Sequence, residues 1–390
     1  MSLQEHPLTG EKQRAGEIGA PGSPAAWQAQ RTLAGPEYSD PQVWELEKDR
    51  IFFTQWFCVG RSEQVAAPGD YSVVDVAGES IILTRNKTGE VRAHYNTCAH
   101  RGTRLCDGSG SLKSAVIKCP YHAWTFDADG VLLGTPNVRE DEGFDRSLYP
   151  LRSVHVDEFE GWVFVNLSDA DPVLLADWIA NDPNEPRAYS RWGQGDLRVG
   201  HVRSYDVDAN WKIVVDNYNE CLHCPSVHPE LVQVVPVYKK GVILERDGWD
   251  GVSLGEGMST FSMTGVSGLP RLPGLSDEDA HAYFGYTLFP NLLMNFLSDV
   301  VFGLRLVPRG PELTTVVTEF LFQPETIADP NFDHSPVTDF VDLVSRQDWE
   351  VCERAQVGNR SRGYRDGGVY PYNDRLVHYF NEHYRSFMRD

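Results

Sequence analysis

No stretch of this 390-residue chain holds the roughly 18–20 consecutive apolar residues that a bilayer crossing needs. Its first twenty residues, Met1 to Ala20, are polar and lack the hydrophobic core of a secretion signal, so a cytoplasmic chain is expected. Positive charge is scarce as well: 35 Lys and Arg stand against 56 Asp and Glu, a formal net charge of −21. Such a surface repels phosphate backbones and anionic headgroups, which argues against nucleic acid and membrane surfaces as partners. It suits a cationic substrate, although solubility alone also accounts for it. A Gly-rich dinucleotide fingerprint followed by an acid is missing, so a nicotinamide is not expected to bind here. An even, regularly spaced set of cysteines is missing too: Cys58, Cys98, Cys106, Cys119, Cys221, Cys224 and Cys352 form an odd, scattered set. In a long chain without a signal segment they read as metal ligands and free thiols, not as a disulfide frame.

The length allows two or three domains, and 41% hydrophobic residues suffice for sizeable cores. Residues 1–44 read as an arm, rich in Gly, Pro and Ala to about residue 25, with a helix that packs on the second domain. Residues 45–168 read as a compact β domain. Leu46 to Trp56 has helical spacing, then alternation sets in at Tyr71-Ser-Val-Val-Asp-Val76 and Ile81-Ile-Leu-Thr84, with a turn at Asn86-Lys-Thr-Gly89. Gly161 to Leu167 adds a buried strand. Residues 169–390 begin loop-like and continue with a helix near 209–223. Strands follow around 241–265, 283–307 and 313–323, then helices around 335–357 and 374–388. Strands followed by helices imply an α+β domain, with helices packed on an antiparallel sheet.

The first chemical constellation is Asn96-Thr-Cys98-Ala-His100-Arg-Gly102 with Lys118-Cys119-Pro-Tyr-His122-Ala-Trp124. One pair is spaced C-x-H and the other C-x-x-H, so each fits a tight loop at a hairpin tip. Two thiolates and two imidazoles can hold a structural zinc. They also suit a [2Fe-2S] cluster with one iron on two thiolates and the other on two neutral imidazoles. Finger-type zinc sites group Cys with Cys and His with His, whereas here each loop offers one of each. The pattern resembles the Rieske family, including Arg-Gly after the first His and Pro-Tyr between the second ligands. It implies that Cys98, His100, Cys119 and His122 bind the cluster. Respiratory-type members carry a further disulfide between the loops; Thr103 and Tyr121 occupy those places here, and Cys106 reads as a packed thiol. The resemblance is therefore to the Rieske domain of bacterial oxygenases.

The second constellation runs from Asn210 to Pro229. On a helix, Trp211, Val214, Val215, Tyr218 and Leu222 form an apolar stripe, with Asp216, Glu220 and His223 together on the opposite face. Pro225 ends the helix, so His228 has to reach back from the next turn. In the late helix, Phe340, Val341, Val344, Val351, Cys352 and Ala355 share one face, and Asp348 sits inside it. A carboxylate on a buried face is costly unless it is paired or bound to a metal. His223, His228 and Asp348 make a two-histidine, one-carboxylate set of the kind that leaves positions open on Fe(II). A zinc site using Cys221 and Cys224 is the local alternative. The stretch resembles the Rieske oxygenase catalytic motif, and the resemblance extends from about Pro41 to the C-terminus. It implies an all-β Rieske domain, a helix-grip catalytic domain, and His223, His228 and Asp348 as iron ligands.

In that family, subunits form rings, commonly trimers, in which one chain's cluster lies beside its neighbour's iron. An acid at the position of Glu220 bridges the two across the interface. Asp216 and Asn217, from the same stretch, join Glu220 as candidate catalytic groups. Electrons reach the cluster from a separate NAD(P)H-dependent, flavin-containing reductase of the ferredoxin-reductase type, and O2 is activated at the iron. Glu220 within Glu-Cys-x-His-Cys resembles the branch acting on choline, glycine betaine and carnitine, which oxidises an N-methyl group or a nearby carbon. Ring-hydroxylating dioxygenases, which usually have Asp there, are the alternative. A quaternary ammonium suits an aromatic cage, for which Trp249, Phe261, Tyr283, Phe284, Tyr286, Phe289 and Phe296 are candidates, although aromatics in a sheet are more often plain core.

Overall fold

The computed structural model describes residues 27–138, 143–243 and 251–389. The first half is a seven-stranded antiparallel sheet in the order β1-β10-β9-β4-β3-β2-β5. Its strands are β1 (Phe57–Arg61), β2 (Asp70–Val76), β3 (Glu79–Arg85), β4 (Val91–Tyr95), β5 (Ser109–Ser111), β9 (Ser153–Phe159) and β10 (Trp162–Asn166). A separate three-stranded sheet, β6 (Val116–Lys118), β7 (Thr125–Asp127) and β8 (Leu132–Gly134), carries the second Cys–His loop. The apolar run of β10 is buried throughout because the pleat divides it. Trp162 and Phe164 enter one core and Val163 and Val165 another.

The second half is a six-stranded antiparallel sheet in the order β11-β16-β15-β14-β13-β12. These strands are β11 (Arg198–Val207), β12 (Gly251–Ser253), β13 (Ala282–Leu288), β14 (Leu292–Phe296), β15 (Val301–Gly310) and β16 (Leu313–Phe322). The long helix α4 (Ser335–Asn359) and α2 (Trp211–Tyr218) pack together on it, with α5 (Arg375–Met388) closing the chain. The expected late helices stand where their spacing put them. Of the strand expected around 241–265, the described residues hold β12, and β11 lies between the expected loop and the expected helix, in a stretch given no element.

Two devices hold the halves together. Asn291 extends the strand ladder with its side chain, accepting from Cys58 N at 2.9 Å and donating to Cys58 O at 2.8 Å and Leu306 O at 3.0 Å. Gly303 on β15 lets the Trp162 ring lie directly on the backbone, where a Cβ would stand 2.6 Å from the indole. The N-terminal segment does reach the second half: Gln30–Arg31 pairs antiparallel with Val369–Tyr370. The helix α1 (Pro41–Glu47) ends on Glu47, which is buried in an ion pair with Lys212 and accepts from Trp211 Nε1 at 3.1 Å and Tyr384 Oη at 2.9 Å. With both charges paired and further hydrogen-bonded, the burial is tolerable, and it fixes α2 in place.

Candidate metal centres and the cavity

Each Cys–His box closes on itself through its backbone. Cys98 N donates to Thr103 O at 2.9 Å and Gly102 N returns to Cys98 O at 3.0 Å; Cys119 N donates to Trp124 O at 2.8 Å and Ala123 N to Cys119 O at 3.1 Å. Gly102 and Ala123 take the left-handed conformation that such turns require. The two thiols are buried in a small core with Ile82, Ile117, Trp124 and Phe126, while His100 and His122 stand at the tip with ring centroids 4.7 Å apart. Trp124 stacks on His100 at 4.6 Å and Tyr121 leans on His122 at 3.7 Å, which sets both ring planes. Burial raises the Cys98 thiol, and its neighbour Cys119 adds to the effect. His122 Nδ1 is buried without a hydrogen-bond partner, a costly state for a ring nitrogen unless a metal takes its lone pair. Inner thiols and outer imidazoles fit a cluster with chemically different irons. On this basis His122→Cys should still assemble a [2Fe-2S] centre, at a potential lower by at least about 100 mV in a redox titration. An unchanged potential would remove His122 from the ligand set.

Cys106, half-buried, keeps its thiol, which burial lifts to about 11. Cys221 and Cys224 are different. They are bridged as a disulfide, with Cα atoms 5.0 Å apart. The expectation of free thiols throughout is corrected at this pair, and bridged sulfurs offer no thiolate to zinc.

The helix expected over 209–223 is also corrected. Asn210 caps it by accepting from Lys212 N, but α2 ends at Tyr218. The cause is Glu220, whose carboxylate takes the backbone N–H groups of Leu222 and His223 and so competes with helical hydrogen bonding. A short helix, α3 (Cys224–Val227), follows with Pro225 in its first turn. Asp216 therefore does not share a face with Glu220 and His223. It accepts from Tyr38 Oη at 2.7 Å and Asn381 Nδ2 at 2.9 Å, and it is not among the described residues that line the cavity. Burial pushes its carboxyl up to about 7, against these two hydrogen bonds. The contacts tie α2 to the N-terminal segment and α5, so its role here is structural.

His223, His228 and Asp348 converge, with ligand atoms all within 4.8 Å of one another. His228 Nε2 lies 2.9 Å and His223 Nε2 3.3 Å from the same Asp348 oxygen, and the two ring nitrogens are 3.1 Å apart. The other ring nitrogens are held from behind: His223 Nδ1 on Glu220 Oε1 at 2.5 Å, His228 Nδ1 on Gln347 Oε1 at 2.8 Å. Gln347 in turn donates to Glu230 at 3.0 Å. With Nδ1–H donating to these oxygens, each ring in its neutral form turns its Nε2 lone pair inward, the tautomer a metal needs. Burial opposes a charged ring at His223, yet hydrogen bonds to Asp348 and Glu220 push it up to about 9. The position favours positive charge. Asn217 Nδ2 stands 3.4 Å from His223 Nε2, at the edge of the set. Gln347, absent from the sequence reading, has as its only signal its place beside Asp348.

The triad opens on a cavity of about 670 Å³ between α2, α4 and the sheet. On β13, β14 and β15 the pleat turns Tyr283, Gly285, Thr287, Leu293, Asn295, Phe302 and Leu304 inward. Of the candidate aromatics, Phe261, Tyr283, Tyr286 and Phe289 line the cavity. Phe284 and Phe296 pack behind the sheet on Trp192, and Trp249 lies outside the described residues. Phe302, Phe340, Tyr218 and Trp349 add to the aromatic wall, with Tyr238, Tyr379 and Phe380. Gly285 makes room for two hydroxyls: a Cβ there would sit 2.7 Å from both Tyr218 Oη and Tyr283 Oη. Gly285→Ala is thus expected to cost about 1–3 kcal/mol in denaturant unfolding, the usual penalty of overpacking.

Comparison with known proteins follows the same division. Residues 195–390 match the family model of the ring hydroxylating alpha subunit (catalytic domain), and residues 55–156 that of the Rieske [2Fe-2S] domain. The chain is 33% identical over 347 residues to a carnitine monooxygenase oxygenase subunit of Acinetobacter baumannii, covering 85% of this chain and 86% of the relative. It is 29% identical over 371 residues to a glycine betaine monooxygenase oxygenase subunit of Chromohalobacter salexigens, covering 87% and 82%. Among solved structures it resembles a quaternary ammonium Rieske monooxygenase, described for carnitine oxidation by gut microbiota and inter-subunit electron transfer, with a TM-score of 0.75, 25% identity and full coverage of both chains. Naphthalene 1,2-dioxygenase from Rhodococcus sp. shares the fold at a TM-score of 0.70 and 21% identity, covering 92% of this chain and 94% of the other.

Proposed function

We infer the reaction from the fact that this chain belongs to the Rieske oxygenases, as an alpha subunit carrying a [2Fe-2S] domain and a non-haem iron catalytic domain. It is an oxidoreductase of a family whose electrons come from a reductase. The substrate we propose is a small quaternary ammonium compound of the glycine betaine, carnitine or choline kind, oxidised with O2. A separate NAD(P)H-dependent reductase of the ferredoxin-reductase type would supply the electrons. The observation that carries this reading is the convergence of His223, His228 and Asp348 on one point of an aromatic-walled cavity. The substrate class is supported by relatives named for carnitine and glycine betaine that align over most of both chains.

His223, His228 and Asp348 would hold Fe(II); Cys98, His100, Cys119 and His122 would hold the cluster. When bound, the cluster supplies single electrons and the iron activates O2. The protein's own part is orientation and exclusion of water. Glu220 and Gln347 fix the two imidazole planes, and the apolar wall keeps the reacting N-methyl group dry. Glu220, with its carboxylate on His223, is placed to couple this site to a neighbouring subunit's cluster in a homotrimer or a multiple of one. None of the described helices is long and apolar enough to cross a membrane, and we assign the protein to the cytoplasm. Substrate-dependent O2 uptake with a reductase tests the proposal, comparing N-methylated cations with aromatic acids. Uptake and formaldehyde release with the cations alone is expected; uptake with aromatic acids alone would make the chain a ring-hydroxylating dioxygenase.

A further inference from the structure

We propose that this cavity selects a quaternary cation that carries no carboxylate, and so discriminates against zwitterions such as glycine betaine. The inference rests on the quaternary ammonium reading and narrows it. Its first ground is the hydroxyl cluster on the wall. Tyr218 Oη donates to Met294 O at 2.7 Å, and Tyr283 Oη donates to Asn295 Oδ1 at 2.7 Å. A phenol has one proton, so both are committed inside the wall, and the two oxygens have only lone pairs left for a ligand. Asn295 Nδ2 faces the carbonyls of Leu293 and Phe302, each at 3.4 Å. Beside the cluster, Phe261 packs against Tyr283 with ring centroids 4.8 Å apart and adds a π face of the same electrostatic sign. Lone pairs and ring faces attract a cation and repel an anion.

The second ground is charge. Among the described residues lining the cavity there is no Lys or Arg. Iron(II) on the triad would have its two charges balanced by Asp348 and by Glu220 behind His223, leaving no net attraction for a substrate carboxylate. An anion stripped of water without a cationic partner binds poorly. A quaternary amino alcohol or ester satisfies both conditions.

Equilibrium binding to the iron-loaded protein separates the possibilities, with choline, glycine betaine, glycine betaine methyl ester, tetramethylammonium and uncharged 3,3-dimethylbutan-1-ol as probes. Choline and the methyl ester should bind at least about tenfold more tightly than glycine betaine, and choline at least about tenfold more tightly than the uncharged alcohol. Glycine betaine binding as tightly as its ester would overturn the inference while leaving the quaternary ammonium reading in place. Cations binding no better than the uncharged alcohol would overturn that reading, and the inference with it.

Discussion

Asp348→Ala is expected to empty the mononuclear iron site, leave the visible spectrum of the Rieske cluster unchanged and lower turnover by at least about 100-fold. The size of the effect follows from geometry. One Asp348 oxygen lies 2.9 Å from His228 Nε2 and 3.3 Å from His223 Nε2, so alanine removes the anionic ligand and leaves two neutral rings facing an apolar wall. Burial opposes the Asp348 charge, and the hydrogen bonds to His223 and His228 more than offset it, holding the carboxyl below its ordinary range. The cluster ligands belong to the other sheets, so their spectrum is an internal control for folding. Full iron occupancy and activity in the variant would exclude Asp348 as a ligand.

Glu220→Gln should have the second largest effect, of a different kind. Glutamine keeps the size and one acceptor, but removes the charge that accepts from His223 Nδ1 at 2.5 Å. Both metal centres should still load, and the reductase should still reduce the cluster. Substrate oxidation should fall by about 100-fold, because passage of the electron to the iron slows while cluster reduction persists. Loss of the mononuclear iron would make Glu220 a ligand. Normal single-turnover transfer would show that it does not couple the sites.

The parts of this site that local spacing determines were legible in the chain. The Cys–His boxes are closed turns of seven residues or fewer, so their chemistry is visible without the fold. Asp348 stood out as a carboxylate in a helical apolar stripe, although the buried face is rotated from the expected one: Trp349 and Gln356 are inside and Ala355 is exposed. What the chain concealed depends on competition and on distant partners. The helix through Glu220 looked continuous because periodicity does not register a carboxylate capturing the next two backbone N–H groups. Asp216 looked like a companion of His223 until Tyr38 and Asn381, far away in sequence, claimed both its oxygens. The polar alternation of Arg198–Val207 escaped as a strand because one of its faces stays largely exposed. Among the aromatics, pleat parity separates Tyr283 from Phe284, although Tyr286, of the same parity as Phe284, also lines the cavity. Tyr283 faces the cavity and Phe284 the core behind it, and a sequence cannot say which side of a doubly covered sheet holds the substrate.

The central claim is that one chain carries two iron centres of different kinds. Iron and acid-labile sulfide analysis of the purified, fully loaded protein tests it most directly. Three irons and two sulfides per chain are expected, two irons with the sulfides in the cluster and one on His223, His228 and Asp348. Two irons and two sulfides, with the triad empty or holding zinc under iron-replete conditions, would contradict it.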